Sequence, residues 1–143
     1  MLAATTTLAG TADIEDLSRA LRAHAKGALC AEAAVELLVK HRSWVVRADF
    51  VRRFVDVFDG IDGTPMAFVD WTEAVEALSA GELACSSSEG QILRIAASIA
   101  EGVPVDLSIA MCTLDATNAA RVARALLHAS GHAIGLVIER GQA

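Results

Sequence analysis

Ala48-Asp-Phe-Val-Arg-Arg-Phe-Val-Asp-Val-Phe58 is the stretch on which the reading of the whole chain turns. Phe50, Phe54 and Phe58 recur at i, i+4 and i+8, and Val51 and Val55 widen that stripe. Arg52, Arg53 and Asp56 fall largely on the other side, so the spacing predicts an amphipathic helix over 48–58. Asp59-Gly-Ile-Asp-Gly-Thr-Pro65 then breaks it with two glycines and a proline.

The same helical grammar extends in both directions. Upstream, Thr11 or Asp13 caps a helix carrying Ile14, Leu17 and Leu21, with Gly27 as its stop. A second helix runs from about Cys30 to His41, with Leu37 and Leu38 on its apolar side and Glu36–Lys40 as an i,i+4 pair. Ser43-Trp-Val-Val46 is a connector, too short for a sheet strand. Downstream, Asp70-Trp-Thr-Glu73 and Ser86-Ser-Ser-Glu89 have capping-box spacing, opening helices that end near Gly81 and Gly102. Asp106 caps a short segment through Met111, and Asp115 caps a last helix, closed by Gly131, whose Val122 and Leu126 face inward.

Strand signals are nearly absent. The expected fold is therefore all-α, a compact single-domain bundle of about six to seven short helices. Residues 1–12 are expected to be a flexible N-terminus, 13–131 the helical domain, and 132–143 a C-terminal tail or docking arm. For that tail a β-like run, a helix extension and a docking arm all stay open.

Composition narrows the classes of function. The chain has 143 residues, enough to bury ~70% of its unfolded surface in one domain. It is 54% apolar with a mean hydropathy of +0.44, against ~45–50% apolar in ordinary soluble domains. Much of the excess is Ala, but some large apolar side chains are expected outside, where a protein partner or a second copy would cover them. Arg94, Asp106 and Asp115 interrupt the longest apolar runs, so no membrane association is expected. Cys30, Cys85 and Cys112 are odd in number and form no C-x-x-C, which fits a reduced, cytoplasmic protein. A net charge of −6 disfavours nucleic acid unless the cations gather on one face. Arg supplies nearly all of the basic residues, and with abundant Ala, Val and Gly this suggests a GC-rich, bacterial coding sequence.

The two Trp and four Phe all lie between Trp44 and Trp71. Aromatics carry the largest apolar areas, so this segment either nucleates the core or makes a binding surface. Trp44, Phe50, Phe54, Phe58 and Trp71 are the candidates for contact with a protein partner.

Other motifs are weighed by the parts their chemistry needs. Ser87-Ser-Glu-Gly-Gln91 resembles the L-S-G-G-Q turn of transport ATPases, but no G-x-x-x-x-G-K-[ST] phosphate loop accompanies it, and the stretch reads as a helix cap. His128 and His132 have the spacing of paired zinc ligands, yet Gly131 breaks the helix between them and the cysteines are too far apart to complete a site. Cys30 and Cys85 stand near helix starts, where a thiolate is favoured, with no base beside them in sequence. Residues 103–127 give a short helix, a turn around Thr113-Leu-Asp115 and a longer helix. This is similar to the winged helix-turn-helix regulators. The resemblance implies Leu114 as the turn residue, Ala119 and Val122 as inward positions, Asn118, Arg121 and Arg124 as DNA contacts, and a wing over 132–140. Thr113 stands where that motif usually has Gly.

The function expected is a non-enzymatic helical protein–protein interaction or adaptor module, with self-association as one form of it. A helix-turn-helix DNA-binding regulator is the first alternative, and a small enzyme with a Cys/His site the second. No residue is assigned a catalytic, cofactor-binding or metal-ligating role, and no cofactor is expected.

Overall fold

Ala-rich helices can approach one another closely, and the second helix of the chain exploits this on nearly every side. The computed structural model describes residues 11–132. The chain runs α1 (Thr11–Ala25), α2 (Leu29–His41), α3 (Ala48–Phe54), β1 (Val55–Asp59), β2 (Pro65–Val69), α4 (Trp71–Ser79), α5 (Ser87–Glu101), α6 (Leu107–Thr113) and α7 (Ala116–Ala129). Among the described residues the fold is thus seven helices and one small two-stranded sheet around a single core. The all-α expectation holds for the architecture. The expected flexible N-terminus, the docking arm and the wing lie almost wholly outside the described residues.

Helix α2 is the centre. Ala33, Ala34, Val35, Leu37 and Leu38 are all buried, and α1, α5 and α7 pack around it. Ala33 and Ala34 of α2 and Ala96 and Ala97 of α5 are all buried, so these two helices pack through small side chains, while Leu21, Leu37, Leu38, Ile92 and Leu93 supply the apolar area. Each of those larger side chains contributes about 1.5–3 kcal/mol when fully buried.

The caps match the sequence closely. Ser86 Oγ accepts from the Glu89 amide at 3.1 Å while the Glu89 carboxylate accepts from the Ser86 amide at 2.8 Å. A reciprocal cap of this kind stabilises a helix by about 1 kcal/mol. Asp70, Asp106 and Asp115 accept from first-turn amides of α4, α6 and α7, each as a one-sided cap without the return bond that Glu89 makes. Gly102 closes α5 in the left-handed conformation, φ 72°.

The stretch 48–58 is where the helical reading fails. The helix ends at Phe54, and Val55 turns into an extended conformation, φ −118° and ψ 121°. From there the chain forms an antiparallel hairpin with Val55 opposite Val69, Val57 opposite Ala67 and Phe58 opposite Met66. The physical reason lies in the partner segment. Val55, Val57 and Phe58 are β-branched or aromatic, and Pro65-Met-Ala-Phe-Val69 offers a complementary strand with its proline at the first position, where no ladder amide is needed. The Asp70 amide donates to the Phe54 carbonyl at 2.7 Å and closes the base of the hairpin. At its tip, Gly63 takes φ 83° and donates to the Gly60 carbonyl at 2.9 Å.

In α7 the inward side is Asn118, Val122 and Ala125. Leu126, which the spacing places inward beside Val122, is instead 53% exposed, because it lies one residue (about 100° of helix rotation) beyond Ala125. Ala119 is likewise exposed in place of facing the core.

Candidate interaction surface

Of the five aromatic residues marked for partner contact, four form part of the core. Trp44, Phe50, Phe54 and Trp71 are 0, 0, 2 and 7% exposed. The Trp44 ring lies 5.2 Å from Phe50, which lies 5.4 Å from Phe54, and the Trp44 indole N–H donates to the Glu89 carbonyl at 2.9 Å. Arg47 stacks over Trp44 at 4.9 Å and closes the cluster from solvent. These four side chains are therefore unavailable to a partner.

Phe58 is the exception, and the hairpin is the reason. Had the helix continued, Phe58 would share the buried stripe of Phe50 and Phe54. The switch to a strand instead puts it on the sheet face opposite buried Val55, Ala67 and Val69. Phe58 and Phe68 are 41% and 37% exposed, with the exposed His24 ring of α1 beside them at 5.9 and 5.3 Å. Val57 is 62% exposed, and Ile61 at the tip is fully so. Sequence reasoning missed Val57, Ile61 and Phe68; the Val-Asp-Val alternation at 55–57 was the available signal, and it reaches only Val57.

β2 packs against α1, and β1 has no strand on its other side among the described residues. Alternate N–H and C=O groups of β1 consequently point away from the sheet, a ready template for another strand. Val57 shares the face of Val55 and Ala67, so the exposed apolar side chains lie on both faces of the hairpin, and Asp56, Asp59 and Asp62 of the same hairpin are exposed. Thr64 donates its amide to Asp62 at 3.0 Å, which holds that carboxyl below its usual range.

No family model, curated protein or solved structure matches the chain.

The residues marked for DNA contact are not all at the surface. Asn118 is buried, its amide group donating to Ser88 Oγ at 3.4 Å and its carbonyl accepting from Arg121 at 2.9 Å. Arg121 and Arg124 instead line a groove between α2 and α7. The helix pair α6–α7 exists, but Leu107, Ile109 and Met111 of α6 are 45–55% exposed, leaving a second apolar patch where a supporting helix would be packed.

The histidines and cysteines are similarly dispersed. His128 bonds Glu32 at 2.8 Å, whereas His132 contacts Ser130 at 3.4 Å. Among the described residues no three His, Cys, Asp or Glu side chains gather around one point. All three cysteines are exposed, and partial burial followed by the nearby Glu89 charge pushes the Cys85 thiol up, away from the thiolate that nucleophilic catalysis needs. No helix among the described residues is long and apolar enough to cross a membrane.

Proposed function

We propose that this protein is a non-enzymatic binding module that associates with protein through the β1–β2 hairpin, the partner being a second copy of the chain. The observation that carries this reading is the edge of β1 that no described strand covers, combined with the exposed Val57, Phe58, Ile61 and Phe68. Adding a strand to an open edge satisfies the outward backbone groups while covering apolar side chains.

The order of residues in β1 supports the second copy. An antiparallel pairing of two β1 strands about a twofold axis at Val57 sets Val57 opposite Val57, Val55 opposite Asp59 and Asp56 opposite Phe58. No carboxylate then faces another directly, although the segment holds two. Moving the axis to Asp56 sets that residue opposite itself, and moving it midway between Val57 and Phe58 sets Asp56 opposite Asp59. The aspartates thus restrict the register while the Val57 pair at the axis provides the apolar contact.

Val57→Asp tests the proposal, since it places two new carboxylates face to face at the axis. Val57 is 62% exposed, so the monomer should keep its circular dichroism and its thermal unfolding. Sedimentation equilibrium should show a concentration-dependent dimer for the wild type and a monomer for the variant. A wild type that stays monomeric at every concentration removes self-association from the reading.

A further inference from the structure

The α2–α7 groove has a character opposite to that of the chain as a whole. One wall is Ala33, Glu36, Leu37 and Lys40; the other is Arg121, Arg124, Ala125 and His128. Each set has the 0, 3, 4, 7 spacing of a single helix face. The two helices run antiparallel, since His128 at the end of α7 pairs with Glu32 at the start of α2, and Arg121 acts electrostatically on His41 at the end of α2. Lys40 therefore lies across the groove from Arg121, with Arg124 one turn along.

The charges in this groove are unevenly satisfied. Glu36 is held by Arg22 at 2.6 and 3.1 Å, and His128 by Glu32. Lys40, Arg121 and Arg124 make no ion pair among the described residues. The only carboxylate on the groove walls is thus already engaged, and like charges face each other at the other end. In a protein of net charge −6, three cations left in one concavity of about 390 Å³ form a local reversal of sign. Beside them, His41 Nδ1 is buried with no hydrogen-bond partner, and burial together with the Arg121 charge keeps its pKa below the ordinary value.

We propose that this groove binds a small phosphate-bearing ligand, its dianionic group held by Lys40, Arg121 and Arg124 and its apolar part lying over Leu37 and Ala125 at the groove floor. Three cations within two helical turns match one compact dianion. The volume lies in the range of small-molecule sites, ~300–1,000 Å³. An extended polyanion is disfavoured because, on leaving the cationic end, it would run into Glu32 and Glu36 along the groove and Glu89 and Asp115 near His41.

Titration with phenyl phosphate, inorganic phosphate and phenol, followed by amide chemical shifts at constant ionic strength, tests this site. Shifts should concentrate on residues 33–40 and 121–128. Phenyl phosphate should bind about tenfold or more tighter than either fragment, because both the charge and the apolar floor contribute. Lys40→Gln and Arg124→Gln change exposed side chains, so folding is retained, and each should weaken binding by about tenfold. Lys40→Arg should restore it, and Arg52→Gln on α3 should leave it unchanged. Absence of shifts in these two segments, or undiminished binding in the Lys40→Gln, Arg124→Gln double variant, would overturn the assignment. So would retention of duplex DNA or poly-glutamate by a protein that ignores phenyl phosphate.

Discussion

Trp44→Phe separates a core role from a contact role for the aromatic cluster. Trp44 is fully buried, and its indole N–H is the partner of the Glu89 carbonyl at 2.9 Å. Phenylalanine would keep the contact with Phe50 but leave that carbonyl without a donor, which costs about 1–3 kcal/mol. The smaller ring also leaves roughly 40 Å³ unfilled, worth about 1 kcal/mol at ~24 cal/mol per Å³. Together these give a loss of about 2–4 kcal/mol, and a fall in Tm of about 5–15 °C for a domain of this size. Urea and thermal unfolding followed by far-UV circular dichroism would measure it, with Trp71 left as an internal fluorophore. Self-association of the folded variant should match the wild type. A loss under about 0.5 kcal/mol, or normal stability with impaired association, would refute the placement of Trp44 as a core residue.

Two further outcomes rest on local geometry. Arg42 closes α2 at φ 76°, a region costly for any residue with a Cβ, so Arg42→Gly should raise stability by about 0.5–1 kcal/mol in urea melts. The Arg22 guanidinium hydrogen-bonds Glu36 and holds its carboxyl below the usual 4.5, so the folded state binds fewer protons than the unfolded state in that region. The resulting stability is complete above pH 4.5 and is lost as pH falls through the lowered folded value. Thermal scans across that range should show Glu36→Gln losing less stability on acidification than the wild type.

The helices were legible in the sequence because each carries its own punctuation. Asp70, Ser86, Asp106 and Asp115 announce helix starts through bonds made within one turn, and the structure makes those bonds. The 48–58 stretch was not legible in the same way. Its helix ends at Phe54, and the conformation of residues 55–58 depends on a strand that begins only at Pro65, so the decision is made by pairing and not by local period. That one change moved Phe58 from core to surface and brought Val57, Ile61 and Phe68 into the candidate contact region. The groove was hidden for a related reason. Lys40 and Arg121 are far apart in sequence, and only the antiparallel packing of α2 on α7 sets them on one concavity.

The most direct test of association through β1 is an isotope-filtered NOE measurement on a mixture of labelled and unlabelled protein. Pairing about Val57 predicts intermolecular NOEs between Val57 methyl groups, and between Phe58 of one copy and Asp56 of the other. It also predicts that the outward β1 amides become protected from exchange as concentration rises. Intermolecular NOEs confined to α6, or none at all with concentration-independent tumbling, would contradict it.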